Sequence, residues 1–411
     1  MKGVENMNDH HMLAGAAKVV ITPDASYFPL EHFGKSVFSG KILNDIYARI
    51  LILNNGYENF VLLTLDLPGV PNAKMLEQFV AETLMIPIDS VVVTATHNHS
   101  GPYFDNVDFE HMFGSAFIEK KKKWMREFVS SIKTCCLEAK SNMQRAKIGF
   151  GKGECYLNVN RVEHINGKPV IYGYNLKGSV DRELSVMKVV SETDQLIGLV
   201  YNYAMHACTM IHNNPEGIGT EISADVPGVC CRMFETETSD DAVVQFVSGA
   251  AGDLNPIMMA RVNKILKDGS VQVVDTGKAG HAIMENLGKI LYNDVKAVSD
   301  QIVVEDHVTI WNEKTYVMCS KEATNKPYNN EPLEFVFGLH SIDGIMIATS
   351  NGEVVNSIGK RIKASLPSKQ HMYMTHAGDW TGYVYEQAEG GNGEFEKVAI
   401  NTFETMASRH F

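Results

Sequence analysis

Across 411 residues no stretch is long and apolar enough to span a bilayer as a helix. The seven cysteines include no Cys-x-x-Cys pair, and their odd number argues against a disulfide framework. A chain of this length needs no such staples, so reduced thiols are the expectation. Positive charge is scarce. Lys and Arg number 37 against 49 Asp and Glu, and the net charge of −12 excludes broad electrostatic binding to nucleic acid. The one basic run, Lys120 to Lys123, lies in a helical pattern from Phe113 to Lys140 and is expected to be a solvated face. Met1 to Met12 carries Glu5, Asp9 and two histidines but no apolar core, so no signal peptide is expected and the protein is expected to be cytoplasmic. Common catalytic signatures are missing too. There is no Gly-x-Ser-x-Gly elbow and no His-Glu-x-x-His helix, and Ser248 to Gly252 ends without the lysine of a phosphate loop.

What remains is an ordinary globular composition, 45% hydrophobic and 21% charged. No linker or composition shift divides the chain, so residues 1–411 are expected to form a single domain. Val91-Val92-Val93-Thr94-Ala95-Thr96 reads as a fully buried strand, followed by His97-Asn98-His99 and the turn residues Ser100-Gly101-Pro102. Lys18–Ile21, Asp45–Asn54, Phe60–Asp66, Leu196–Met205, Ala242–Val247, Gly344–Ser350 and His371–His376 are further strands. Helical spacing separates Phe60–Asp66 from the buried strand, a βαβ pattern. Short strand-like pieces between Ala146 and Val190 suggest antiparallel pairing. The expected fold is α/β: a mixed, largely parallel central sheet flanked by helices, with an added antiparallel section.

Three apolar strands stop at a residue able to hold a metal ion: His97 with His99, then His206, then Glu353 just past Gly352. Extended chain repeats every second residue, which would let His97 and His99 point the same way. Two imidazoles and a carboxylate, leaving room for water, are what a catalytic zinc needs. Each residue also has a structural alternative. A histidine on an apolar strand can be a hydrogen-bonded core residue, and Glu353 at a helix start is favoured by the macrodipole. Asp66 and Asp253 can serve as turn caps.

The order of motifs resembles the neutral (alkaline, non-lysosomal) ceramidases over most of the chain. Ala14 to Pro23 is similar to that family's opening, and Thr96-His97-Asn98-His99-Ser100-Gly101-Pro102 to its Thr-His-x-His-Ser-Gly-Pro block. Asn160-Arg161, Asn202-Tyr203-Ala204-Met205-His206, Ser223-Ala224-Asp225, Gly252 to Pro256, Asn351-Gly352-Glu353 and Gly382-Tyr383-Val384 resemble later blocks in the same order. The resemblance implies zinc held by His97, His206, Glu353 and Tyr383, with His99 and Arg161 contacting the substrate carbonyl or its oxyanion. It implies a hydrolase that uses zinc-activated water on a linear amide (N-acyl) bond of a small-molecule or lipid-like substrate. A homo-oligomer is compatible with the sequence.

Two departures qualify what is implied. Asn255 stands at the family's catalytic serine, and its amide is no comparable nucleophile, which argues against ceramide itself as substrate. Asn255 is then expected to position substrate. The tail from Val384 to Phe411 is too short for the family's C-terminal immunoglobulin-like domain. A zinc hydrolase of another ester or phosphoester, or a non-catalytic metal-containing binder, are the alternatives.

Overall fold

The computed structural model describes residues 11–27, 30–31, 38–102, 115–170, 172–217, 219–238, 241–306, 308–324, 332–387 and 391–410. Eight strands form the main sheet: β1 (Leu13–Val20), β2 (Tyr47–Asn54), β3 (Asn59–Leu65), β4 (Val91–Ala95), β5 (Gln144–Glu154), β6 (Glu183–Ser191), β7 (Leu196–Tyr203) and β8 (Val243–Ser248). Their spatial order is β8-β7-β6-β5-β1-β2-β3-β4. A second sheet holds β9 (Ile310–Cys319), β10 (Leu333–Ile342), β11 (Ile345–Ser350) and β12 (His371–Met374), in that order. Among the described residues these helices pack on the sheets: α1 (Ala73–Leu84), α2 (Ser115–Ser141), α3 (Asp225–Thr238), α4 (Ala279–Ser299), α5 (Asn356–Ser365) and α6 (Glu394–Ser408).

The class is mixed α/β, but the expected largely parallel sheet is wrong. The main sheet is mostly antiparallel; only its two outermost pairs, β3 with β4 and β7 with β8, run parallel. The reason is connection length. Asn54 and Asn55 close a tight hairpin between β2 and β3, and a turn with Asp194 at φ 63° closes β6 onto β7. Such turns allow only antiparallel neighbours, because a parallel pair needs a long crossover. Helices α1 and α3 supply crossovers in the two parallel pairs. The antiparallel pieces expected as an addition, Ala146–Gly151 and Leu184–Val190, are instead β5 and β6 inside the main sheet.

The main sheet folds over itself. Gln245 of β8 donates its side-chain amide to Arg49 O of β2 at 2.9 Å and Leu62 O of β3 at 3.1 Å. The segment after β12 ties the two edges together. Thr375 N–H donates to Ser248 O at 2.9 Å, and Ala95 N–H donates to His376 O at 3.3 Å. Apolar side chains of both sheets, among them Leu51, Phe60, Val92, Met187, Ile347 and Met372, fill the space between them. Burying each contributes roughly 1.5–3 kcal/mol. A buried ion cluster spans β1, β2, the end of β3 and α3. Arg49 meets Asp66 at 2.7 Å and Glu235 at 3.1 Å, and Lys18 meets Glu235 at 2.8 Å. Asp66 therefore does more than cap a turn. All seven cysteines are buried and none is paired with another. Among the described residues no helix is long and apolar enough to cross a membrane.

Candidate metal centre

β4 delivers His97 and His99 through a break in extended geometry. His97 has φ 55°, so the strand alternation expected to align the two side chains does not operate. The rings converge nonetheless, with centroids 4.8 Å apart and nearly perpendicular. His99 N–H donates to Ala207 O at 2.9 Å, which locks this loop to the one carrying His206. His206 follows β7, and its ring lies 5.0 Å from that of His97 and 5.3 Å from that of His99. The candidate ligand atoms of these three buried histidines all lie within 4.8 Å of one another.

Glu353 reaches the same point from β11. Gly352 precedes it at φ 89°, where an added Cβ would meet Thr381 Oγ1 at 2.8 Å, so only glycine fits comfortably. Glu353 Oε2 is 3.2 Å from His97 Nε2 and 3.3 Å from His206 Nε2. Its other oxygen, Oε1, accepts a hydrogen bond from Trp380 Nε1 at 2.6 Å. Glu353–Val354 pairs with Tyr383–Val384 in parallel, which sets Tyr383 beside Glu353. Burial raises the Tyr383 hydroxyl above its ordinary range, with Arg161 opposing the shift and the Glu353 carboxylate adding to it. Arg161 bonds Gly252 O and holds its guanidinium 5.3 Å from the Tyr383 ring centroid. Asn255 lies on Leu254–Pro256, paired with Asn158–Asn160, and its Oδ1 accepts from the Cys208 thiol at 3.7 Å.

The structure thus gathers His97, His99, His206, Glu353, Tyr383 and Arg161 around one point, with Asn255 next to Leu254, whose carbonyl lies 3.2 Å from His206 Nδ1. Asp253 is occupied structurally. Its carboxylate accepts from Asn356 N at 2.7 Å and from the side chains of Asn160 and Asn356. Two neighbours escaped the sequence reading. His376 stacks on His97 with centroids 4.0 Å apart and planes 13° from parallel. The pattern used for the other ligands, an apolar strand ending in histidine, also describes His371 to His376 and would have found it. Nothing local in the sequence singles out Trp380.

Tautomers follow from geometry. His97 Nδ1 lies 2.6 Å from Pro68 O, and His206 Nδ1 lies 2.6 Å from Ala251 O. A carbonyl only accepts, so both Nδ1 atoms carry the proton and both Nε2 atoms turn toward Glu353. Burial drives His99 and His376 well below the ordinary imidazole range. Burial, with the Arg161 cation adding to it, takes His206 down to about 4. Burial alone would raise Glu353, but His97 and His206 outweigh it and hold the carboxyl well below its usual range. Two buried imidazole Nε2 atoms thus converge on one carboxylate oxygen at 3.2–3.3 Å, an arrangement that a cation between them would satisfy. Hydrogen bonding of the second ring nitrogen to a carbonyl is how metal-ligating histidines are commonly oriented. The residues fit a metal ion.

The family described as neutral/alkaline non-lysosomal ceramidase, N-terminal, matches residues 14–273, more than half of the chain. The crystal structure of neutral ceramidase from Pseudomonas aeruginosa superposes with a TM-score of 0.70 at 16% identity, over 97% of this chain and 74% of that one. A ceramidase complexed with C2 superposes with a TM-score of 0.71 at 17% identity, over 95% and 72%. At these identities the likenesses establish the fold. With the sequence match to residues 14–273, the chain belongs to the neutral/alkaline non-lysosomal ceramidase family.

Proposed function

We propose that the protein is a zinc-dependent hydrolase of a linear amide (N-acyl) bond, acting in the cytoplasm. The observation that carries the metal reading is Glu353 Oε2 set between His97 Nε2 and His206 Nε2, each imidazole held by a backbone carbonyl at its other nitrogen. Zinc would be held by His97, His206, Glu353 and Tyr383. When bound, the ion supplies Lewis acidity and lowers the pKa of a water molecule to about 7. His99, buried and neutral, and Arg161, a cation at the edge of the site, would meet the carbonyl oxygen as it gains charge. A donor of this kind is worth about 3–4 kcal/mol to the transition state. Asn255 can hydrogen-bond the substrate amide and hold it in line, but it cannot attack. That substitution is also what favours a second reading, a metal-containing binder without turnover.

Two measurements separate these. Metal content of the purified chain should include zinc, and His206→Ala should lose it together with hydrolysis of N-acyl amides. Full activity in a metal-free His206→Ala or His97→Ala protein would refute the zinc hydrolase. A wild-type protein that binds zinc yet cleaves no amide, ester or phosphoester would favour the binder.

A further inference from the structure

We infer that the segment Thr375–Thr381 is a positioning strap for the metal centre, in which Trp380 holds Glu353 to one metal-facing oxygen and His376 fixes the plane of the His97 ring. This rests on the metal reading above and adds two positioning residues to it. The strap is anchored on every side. Thr375 N–H donates to Ser248 O at 2.9 Å, and its hydroxyl donates to Gly249 O at 2.8 Å. Ala377 N–H donates to Ser350 O at 3.1 Å. Asp379 accepts from Ala73 N–H at 2.7 Å, and its own carbonyl accepts from Asn351 Nδ2 at 3.2 Å. His376 at φ 59° and Gly378 at φ 122° fold the segment back on itself between these anchors.

A carboxylate can offer a metal one oxygen or both. The 2.6 Å bond from the Trp380 indole occupies Oε1, and Oε2 is the oxygen turned to both imidazoles. Trp380 does for Glu353 what the Pro68 and Ala251 carbonyls do for His97 and His206. Freed of the indole, Glu353 could present both oxygens. That raises the coordination number and favours ions that accept more oxygen ligands than zinc does. His376 acts differently. Its ring covers one face of His97 at 4.0 Å, while Pro68 O fixes the in-plane direction. The lone pairs of two parallel rings lie in separate planes and do not converge on one ion, so His376 supports a ligand rather than being one.

The test uses the full chain. Zinc affinity is measured by competition with a chromophoric chelator, and coordination by the visible absorption of the cobalt(II)-loaded protein. Trp380→Phe keeps the ring and loses the N–H. Its zinc affinity should fall 10–100-fold, and its cobalt bands should weaken as coordination number rises, while metal-free melting stays near wild type. Trp380→Gln, which retains an N–H donor, should recover part of the affinity and also serves if the Phe variant does not fold. His376→Ala should weaken zinc binding about tenfold, and His376→Phe, which restores the stacked ring, should recover it. Wild-type zinc affinity and an unchanged cobalt spectrum in Trp380→Phe would overturn the role of the indole. Equal losses in His376→Ala and His376→Phe would overturn the stacking role. A wild-type chain that binds no zinc would instead remove the metal reading itself.

Discussion

Gly252 tests whether the backbone around Glu353 sets the activity. An alanine Cβ built there would lie 2.8 Å from Glu353 O and 3.0 Å from both the carbonyl carbon and oxygen of Val354. All three are backbone atoms, so no side chain can swing away. Ordinary contact begins near 3.4 Å, so the peptide carrying Glu353 must retreat by roughly half an ångström. The same displacement pulls on Gly252 N–H, which donates to Val354 O at 2.8 Å, and on Gly252 O, which Arg161 holds. Overpacking of this kind costs about 1–3 kcal/mol of stability. Displacement of a reacting group by about 1 Å can cost on the order of 100-fold in rate, so roughly half of that shift should still lower turnover about tenfold. Gly252→Ala should therefore fold, melt a few degrees lower, bind metal more weakly and turn over about ten times more slowly. Thermal unfolding, metal titration and hydrolysis of an N-acyl amide, run on one preparation, give all three. Turnover and metal affinity equal to wild type, at a lowered melting temperature, would show that Glu353 need not be held this tightly.

Three further outcomes follow from the same geometry. His340 is buried between the sheets, and burial, with Lys314 nearby, takes its pKa down to about 3. Unfolded, it titrates near 6.5, so its neutral burial stabilises the fold above that pH and stability is lost as pH falls from 6.5 toward 3. At pH 5 the loss is about 2 kcal/mol. His340→Gln should thus narrow the difference between urea midpoints at pH 7.5 and pH 5, and an unchanged difference would mean that His340 is already charged in the native state. Arg49→Met should destabilise by about 3–5 kcal/mol in urea unfolding, because Asp66 would be left as a buried carboxylate without its cation and Glu235 would keep only Lys18. Asp66→Asn added to it should recover part of the loss; no recovery would place the cost in packing. Asn255→Ala should lower rate or affinity while metal content stays at wild type, and an unchanged rate would remove Asn255 from the site.

The strands that lead to His97, His206 and Glu353 were legible because they are almost wholly buried. β4 has the pattern VVVTA, β7 LIGLVYNY and β11 IMIATS; polar residues follow β4 and β11 at once, and His206 follows β7 after Ala204 and Met205. Two strands of the second sheet were not. β9 is half-exposed along most of its length, so WNEKTY carries no apolar periodicity. β10 contains Gly338, which reads as a break. In the structure the gap is occupied by a neighbour, since a Cβ there would meet Thr349 Oγ1 at 2.5 Å. Strand direction was misjudged because one genuine βαβ unit was extended to the whole sheet, although direction depends on connections that local periodicity does not report. Tyr383 stood on family resemblance alone. It faces Glu353 through a two-residue parallel pairing too short to leave any trace in the sequence.

The parallel minority of the two large sheets is nevertheless where the site is built. In a parallel pair both strands end on the same side, so a ligand leaving one strand lies beside groups leaving its neighbour. His97 follows β4 and is held by Pro68 after β3; His206 follows β7 and is held by Ala251 after β8. Glu353 follows β11 and is held by Trp380 after β12. Antiparallel neighbours would have put each ligand and its support at opposite ends of the sheet. Three separate pairs brought to one point by the strap after β12 therefore account for how candidate ligands far apart in sequence can share one buried centre. They also explain why changes to the supports, and not only to the ligands, should alter metal affinity.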